Sequence, residues 1–460
     1  MTATVVLDAA LADEIRRVAE KFNETAGILL SSIVRAPNGD IRLLARKMVW
    51  LDKSAYDERG PFGLLLNSEG YIRPLAMAET MGAVAIWVHT HPGQGASPRP
   101  SMHDDMVDAK IAEVFRLRSG SAYYGALIFS RVGAELQFTG HLEFDDQEVV
   151  IERLWIVGDR FQLIHAFGND QIVESDIFDR NIRAFGGAVQ NALGQLHVGI
   201  VGNGGTGSAI AEQLVRLGVR NFTLADPDVL SASNVTRVYG STPADVGRAK
   251  VKVLAEHLIR IAPGAKCVQL ISSVNVEETA KHLAASDLIF GCTDDNAGRL
   301  VLSRIATYLL TPIIDCGVLL SSDENGRLVG IDGRVTSLFP GTACLVCRNR
   351  IDLARASAEF LTPSERIRRE DEGYAPALGQ REPAVVAFTT IVAATAVSEL
   401  LERLIGYGPE PRPSEVLLRC HEREISTNVA APRKGHYCDR AAGMMGLGMA
   451  EPYLGLTWGS

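Results

Sequence analysis

Apolar and polar positions follow two different patterns along the chain, and the change between them divides it into two parts. Residues 8–22 carry apolar side chains at helical spacing, which predicts an amphipathic helix. Further on, the sequence predicts a second helix at about 102–117 with Ser101 as its N-cap. This mixture of helices and strands predicts an α+β domain. The β-rich runs between and after these helices are 27–34, 41–48, 84–88, 123–129 and 137–144, followed by an apolar stretch at 149–166.

Beyond a polar segment at Gly168–Ser175, which we interpret as a linker, strands and helices alternate regularly. That order predicts a doubly wound parallel sheet. The predicted strands are 196–201, 221–225 and 287–291, and the predicted helices are 207–217, 249–261 and 299–310. We therefore predict an α/β protein in which an α+β domain at 1–167 precedes a Rossmann-like domain at 176–440. A tail at 441–460 has no clear periodicity and receives no role.

The charge balance argues against nucleic acid and membrane partners. The chain of 460 residues has 46 lysines and arginines against 55 acidic residues, so it lacks a basic footprint. The apolar run 384–397 is too short to span a bilayer and reads as a buried helix. The N-terminus lacks the pattern of a signal peptide. We expect a soluble, cytoplasmic protein.

A cluster of potential metal ligands lies in the first part. His89 and His91 end a predicted strand, where residues i and i+2 share a face, and Asp104 follows in the first turn of the predicted helix. Two imidazoles and one carboxylate leave a fourth position open, as catalytic zinc sites do. Glu24 is the candidate proton carrier. An isolated His-x-His is more often a surface pair, but Glu24, HTHP and SMHD in this order are far more specific.

These motifs resemble those of the JAMM (JAB/MPN) metalloproteases over about residues 7–165. The resemblance implies that His89, His91 and Asp104 bind zinc, that Glu24 is the general acid/base, and that Ser101 stabilises the oxyanion. The family cleaves peptide or isopeptide bonds after the C-terminal glycines of ubiquitin-like proteins. The Gly/Pro-rich connector GQGASPRP departs from the family pattern, so substrate choice stays open.

A glycine-rich loop in the second part predicts a nucleotide site. GNGGTG, residues 202–207, follows a strand and precedes a helix, so its backbone can approach phosphates. Asp226 ends the next strand, where a carboxylate can accept ribose hydroxyls. These features alone are shared with NAD-dependent dehydrogenases and favour NAD over ATP. The segments 233–237 and 247–250 add cationic side chains suited to a triphosphate, among them Arg237 and Lys250. Asp294, after a further strand, suits magnesium.

These residues resemble those of the ThiF/MoeB-type family, which includes ubiquitin-activating enzymes, over about residues 176–440. The resemblance implies that the domain binds ATP and magnesium, that it forms a homodimer, and that Arg180 reaches the partner subunit's site. Asn181 stands where the family has glutamine, which weakens the assignment of Arg180. The implied nucleotide-binding residues are Gly202, Gly204, Gly205, Gly207, Asp226, Asn234, Arg237, Lys250 and Asp294.

All seven cysteines lie beyond residue 266, which favours reduced thiols and a metal site. Cys344, Cys347 and Cys438 match three of the family's four structural zinc ligands, while Ala441 stands where the fourth is expected. His436 could complete the site. The alternative is a degenerate site without metal.

The cysteine spacing also bears on a thioester. The segment 349–380, where thioester-forming relatives carry their nucleophile, contains no cysteine, and Cys420 falls in a strand-like run. The chain is therefore expected to stop at the acyl-adenylate or to pass it to another nucleophile.

Three functions follow. The first is a bifunctional enzyme that cleaves after, and adenylates, the C-terminus of a ubiquitin-like protein, with a ubiquitin-conjugating-like protein as a further partner. The second is processing and activation of a sulfur-carrier-like protein. The third is a scaffold with inactive sites, which the complete motifs argue against.

Overall fold

The computed structural model describes residues 2–93, 98–166, 176–361, 365 and 384–458. They form two compact units: one from Met1–Gln171 with Gly446–Met449, the other from Ile172–Met445 with Ala450–Ser460. Part of the tail that had no predicted role thus belongs to each unit. The predicted linker, Gly168–Ser175, lies outside the described residues.

The first unit is built on a sheet in the strand order β1-β3-β2-β6-β7-β8-β9-β10. An additional parallel pairing of β1 with β9 closes this order into a ring. A separate hairpin pairs β4 with β5. The strands are β1 Ala3–Asp8, β2 Ala26–Arg35, β3 Ile41–Trp50, β4 Tyr56–Gly60, β5 Gly63–Leu66, β6 Val84–Thr90, β7 Tyr124–Val132, β8 Glu135–Phe144, β9 Gln147–Val157 and β10 Gln162–His165.

Three helices cover this sheet: α1 Ala9–Ala19, α2 Glu69–Met81 and α3 Met102–Ser119. The apolar side of α1 packs with one set of sheet residues around Val5 and Leu7, while α2 and α3 pack on another around Ile28 and Trp87. The predicted helices near 8–22 and 102–117 are confirmed. Helix α2 was not predicted, because Pro74 interrupts its helical pattern.

The second unit contains a sheet in the order β13-β12-β11-β14-β15-β16-β17-β18. Its first five strands are parallel, but β16, β17 and β18 are antiparallel additions. The predicted doubly wound parallel sheet is therefore confirmed for the strands from β13 to β15. A short turn joins β15 to β16, and this connection makes the two strands pair antiparallel. The strands are β11 His197–Val201, β12 Asn221–Ala225, β13 Lys266–Leu270, β14 Leu288–Gly291, β15 Ile313–Ser322, β16 Leu328–Leu338, β17 Glu415–Arg419 and β18 Glu424–Asn428.

The order of strands in this sheet reverses between β11 and β14, because the chain first runs outward through β12 and β13. Such a reversal opens a crevice at the carboxyl ends of parallel strands, where Rossmann-like folds bind ligands. The helices are α4 Asp179–Phe185, α5 Gly187–Gln195, α6 Gly205–Arg216, α7 Lys250–Ile261, α8 Glu277–His282, α9 Asn296–Tyr308, α10 Leu353–Glu359 and α11 Val386–Ile405. A search of the described helices finds none with the length and apolarity needed to cross a membrane.

Candidate functional sites

The first unit brings His89, His91 and Asp104 together. His89 lies at the end of β6, His91 directly follows that strand, and Asp104 lies in the first turn of α3. The two Nε2 atoms are 3.1 Å apart, and Asp104 oxygens lie 3.2 Å from His89 Nε2 and 3.5 Å from His91 Nε2. Both imidazoles are buried.

These distances fit a tetrahedral zinc ion. Zinc bonds of about 2.0–2.1 Å to nitrogen and oxygen separate the ligand atoms by about 3.3 Å. Burial raises the pKa of Asp104, but hydrogen bonding with His89 and His91 outweighs burial and lowers this pKa below its ordinary value. The carboxylate is thus ionised and available as a ligand.

Ser101 has a structural task in this site. Its Oγ accepts a hydrogen bond from Asp104 N at 3.2 Å, and its own backbone N donates to Asp104 Oδ2 at 2.6 Å. This reciprocal pair is a capping box that begins α3. It confirms Ser101 as the N-cap and fixes the orientation of the Asp104 carboxylate.

Glu24 lies beside the same cluster. Its Oε1 is 3.9 Å from His91 Nε2, and the residue is buried where the chain enters β2. Burial raises the pKa of Glu24 above its ordinary value, although the two histidines act in the opposite direction. Arg59 donates to the Glu24 carbonyl at 2.7 Å and thereby holds its backbone in place. A buried carboxyl group beside this cluster is positioned to accept a proton and return it.

The second unit places the glycine-rich loop at the crevice between β11 and β14. Gly202 has φ +87°, and a Cβ there would lie 2.5 Å from the Cys292 carbonyl oxygen, so only glycine fits. A Cβ on Gly207 would lie 2.0 Å from the Gly202 carbonyl oxygen. A Cβ at Gly204 would meet nothing within 4 Å, so the loop is open where α6 begins. The start of α6 can therefore admit a phosphate.

Asp226 follows β12 and organises this loop. Its Oδ2 accepts from Asn203 N at 2.6 Å, and its Oδ1 accepts from Asp228 N at 2.8 Å. Burial raises the pKa of Asp226, while Lys250 and these two amides act in the opposite direction. The carboxylate sits next to the phosphate loop, as a ribose-binding group should.

Lys250, the first residue of α7, extends to the same edge. Its Nζ lies 2.7 Å from Asp228 Oδ2 and 3.7 Å from Asp226 Oδ1. The sequence reasoning missed Asp228, although it stands two residues after Asp226 and is bonded to it. The second carboxylate in Asp226-Pro227-Asp228 was the available signal.

The other residues predicted for ATP binding or catalysis differ in their burial and in their contacts with the glycine-rich loop. Asp294 follows β14 at the same edge of the sheet and is exposed. Asn234 is buried, and its Oδ1 accepts from Ser231 N at 3.2 Å. The Arg237 side chain approaches Gly205 closely. In contrast, Arg180 is exposed on α4, and the described residues show no hydrogen bond between it and the loop.

A third cluster consists of Cys344, Cys347, His436 and Cys438, whose ligand atoms all lie within 4.8 Å of one another. Cys347 Sγ and Cys438 Sγ are 3.7 Å apart, and His436 Nδ1 lies 3.3 to 3.6 Å from the three sulfurs. Tetrahedral zinc with Zn–S bonds of about 2.3 Å has sulfur–sulfur edges of about 3.8 Å. The set therefore fits zinc, with His436 in place of a fourth cysteine.

The thiols of this cluster interact strongly. Hydrogen bonding from Cys438 lowers the pKa of Cys344 to about 5, whereas the same interaction raises the pKa of Cys438. The thiolate is the form of cysteine that binds a metal, so a lowered thiol pKa in this cluster favours metal binding. Cys420 lies apart, immediately after β17, and its backbone N donates to the Ile331 carbonyl at 2.9 Å.

Comparison with protein families identifies the second unit. The model of the ThiF family matches residues 178–439, more than half of the chain. The match spans the glycine-rich loop, Asp226, Lys250, Asp294 and the Cys/His cluster.

Individual relatives match shorter segments. Molybdopterin-synthase adenylyltransferase of Escherichia coli (strain K12) is 31% identical over 172 residues, which cover 37% of this chain and 65% of that protein. Sulfur carrier protein ThiS adenylyltransferase of the same strain is 29% identical and covers 33% and 56%. ATP-dependent ubiquitin transferase-like protein Cap2 of Enterobacter hormaechei subsp. hoffmannii (strain UCI 50) is 36% identical over 124 residues and covers 26% and 20%. The chain spans less than two thirds of the length of each of these relatives.

Proposed function

The chain belongs to the ThiF family, and on this basis we propose that residues 176–440 use ATP to adenylate the C-terminal carboxylate of a ubiquitin-like or sulfur-carrier-like protein. One arrangement carries the proposal: an open glycine loop, the buried Asp226 and the ammonium of Lys250 share one edge of the sheet. A lysine beside the loop and Asp226 supplies a cation suited to a triphosphate, which favours ATP over the NAD of a dehydrogenase.

The proposed reaction joins the partner's C-terminal carboxylate to the α-phosphate of ATP. A carboxylate oxygen of the partner's last glycine attacks the α-phosphorus of ATP, and the bond from that phosphorus to the bridging oxygen breaks, so that pyrophosphate leaves. The backbone N–H groups that begin α6 bind phosphate oxygens, and Lys250 stabilises the charge that develops on pyrophosphate. Asp294 would hold magnesium, which would neutralise phosphate charge when bound.

The nature of the partner divides the proposal in two. The names of two relatives refer to molybdopterin synthase and to the sulfur carrier ThiS, and the name of a third refers to ubiquitin transfer. Both fates begin with the same acyl-adenylate. They are distinguished by what becomes attached to the partner: a sulfur atom at its C-terminus in one case, an amine-linked target in the other.

Exchange of labelled pyrophosphate into ATP tests the adenylation. We expect exchange that depends on a partner protein ending in glycine, and a Lys250→Ala variant should slow it at least 100-fold. The exposed Lys252→Ala is the matched control on the same helix. Tight binding of NAD together with no binding of ATP would refute the proposal.

For the first unit we propose a zinc-dependent peptidase that resembles the JAMM type and cleaves after the terminal glycine of the same partner. The support is geometric: His89, His91, Asp104 and Glu24 come from three separate segments and converge on one buried point. Zinc, when bound there, would make hydroxide available near neutral pH by lowering the pKa of water.

Different residues of the first unit would hold the zinc ion and transfer the proton during hydrolysis. His89, His91 and Asp104 would hold the ion, with Asp104 oriented by Ser101. Glu24 would accept a proton from the attacking water at Oε1 and return it to the leaving amine nitrogen. The Ser101 hydroxyl already accepts from Asp104 N, so its hydrogen is available to a developing oxyanion.

Zinc content and cleavage, measured on the full chain, test this second activity. A Glu24→Gln variant should bind as much zinc as the parent yet fail to cleave a fusion that extends a ubiquitin-like partner beyond its last glycine. Cleavage by Glu24→Gln at the parental rate would show that the base is wrong. A parent that binds zinc and ATP but turns over neither substrate would instead support a scaffold.

A further inference from the structure

The ammonium of Lys250 is held at the sheet edge by two carboxylates. It lies 2.7 Å from Asp228 Oδ2 and 3.7 Å from Asp226 Oδ1, and the lysine side chain is only 9% exposed. A lysine has a flexible stem of four carbons, and ordering it costs side-chain entropy. Because the ion pair with Asp228 already orders the Lys250 side chain, ATP binding does not have to order it.

The backbone fixes Asp228 from both sides. Its N–H donates to Asp226 Oδ1 at 2.8 Å, and its carbonyl accepts from Lys250 N at 3.1 Å. Asp228 is therefore tied both to the carboxylate that faces the ribose position and to the first residue of α7. These bonds fix the backbone of Asp228, from which its carboxylate reaches the Lys250 ammonium at 2.7 Å.

The pair leaves Lys250 able to bind a phosphate. An ammonium group has three N–H donors, and Asp228 accepts one of them. At 3.7 Å, Asp226 is too far for a hydrogen bond, so donors stay available to a phosphate oxygen while the pair persists. We infer that Asp228 is a positioning residue that holds Lys250 ready for the phosphates of ATP. This inference rests on the proposed adenylation and names a residue that neither the motifs nor the family match assigned.

If Asp228 instead hindered ATP binding, its substitution would change ATP affinity in the opposite direction. If Asp228 competed with phosphate for Lys250, neutralising it would strengthen ATP binding. The burial of Lys250 argues against this, because a nearly buried ammonium that gave up Asp228 would lose its only partner within hydrogen-bond distance among the described residues.

Calorimetric titration of the full chain with ATP and with adenosine tests the inference. Adenosine has the adenine base and the ribose of ATP but no phosphate, so it serves as the ligand that Lys250 should not affect. Asp228→Asn should weaken ATP binding about tenfold or more, because it removes a charge-assisted hydrogen bond to Lys250. It should leave adenosine binding unchanged. In a Lys250→Ala background the same change should add nothing further, because Asp228 acts through the lysine. Asp245→Asn, which disrupts the pair with Arg248 in the same connection, is the control and should leave ATP binding unchanged.

Each other outcome has a definite meaning. Equal or tighter ATP binding by Asp228→Asn overturns the inference, and so does an equal loss of ATP and adenosine, which would indicate a general structural role. A further loss in the Lys250→Ala background overturns it as well. Failure of the parent chain to bind ATP refutes the proposed function itself, whereas normal ATP binding by both parent and variant refutes only the role of Asp228. Thermal unfolding without ligand confirms that each variant is folded.

Discussion

Ser101 and Asp104 bond to each other in both directions: the serine Oγ accepts from the aspartate N–H, and the aspartate carboxylate accepts from the serine N–H. The same carboxylate faces His89 and His91. Asp104 is therefore the third helical residue, N3, of the capping box and would also be a ligand in the proposed zinc site. The start of α3 and the proposed zinc site are consequently one structural unit.

This coupling predicts how Ser101→Ala should behave. Loss of the N-cap should cost about 1 kcal/mol of stability. The Ser101 backbone N–H that donates to the Asp104 carboxylate is retained in alanine, so zinc affinity should stay close to that of the parent. Competition with a zinc chelator and thermal unfolding would measure zinc affinity and stability. Ser68→Ala is the matched control, because Ser68 precedes α2 without a side-chain capping bond. Slow cleavage at the parental zinc affinity would support the proposed role of the Ser101 hydroxyl at the oxyanion, whereas a large loss of zinc affinity would contradict the view that the backbone N–H orients the carboxylate.

The sequence was sufficient to predict those residues that local patterns determine. Ser101 was predicted as a cap because a polar residue precedes an amphipathic run with acidic residues in its first turn. Asp226 was predicted because it ends a strand after a glycine loop. In both cases the controlling interactions lie within a few residues or follow from the strand–loop–helix order.

Other features depended on contacts that sequence spacing does not reveal. Asp228 escaped notice because its partner Lys250 is distant in sequence and meets it only after β12 and α7 are in place. The pairing of β1 with β9 joins opposite ends of the first unit, and no periodicity predicts it. The antiparallel strand β17 joins the sheet after the long segment that follows β16.

The Cys/His cluster predicts a second, structural zinc ion. The full chain should bind two zinc ions, and His436→Ala should reduce this number toward one. Because structural zinc contributes directly to folding free energy, the variant should also lower the unfolding temperature of the second unit. Atomic absorption and thermal unfolding provide the measurements, with His282→Ala, at the half-buried last residue of α8, as control. Two zinc ions and unchanged stability in His436→Ala would show that the histidine is not a ligand.

No stable thioester between this chain and its partner is expected. The described part of the segment after Cys347 carries no cysteine up to Leu361, and the sequence has none up to Cys420. We predict that incubation with ATP and the partner yields no covalent adduct that a thiol reductant can cleave. Denaturing electrophoresis with and without reductant would check this. An adduct that disappears in Cys420→Ala would contradict the prediction and make Cys420 the nucleophile.

The two proposed activities act in a defined order if the peptidase matures the partner. A partner with residues beyond its terminal glycine cannot be adenylated at that glycine until it is trimmed. Sharing one chain would raise the concentration of trimmed product near the ATP site. A variant with His89→Ala and His91→Ala should then fail to activate the extended precursor in the pyrophosphate exchange assay, yet activate a precursor that already ends in glycine at the parental rate. That second substrate also controls for folding of the ThiF domain. Equal activation of both forms would exclude maturation, and removal of the partner from its targets would become the better account of the peptidase.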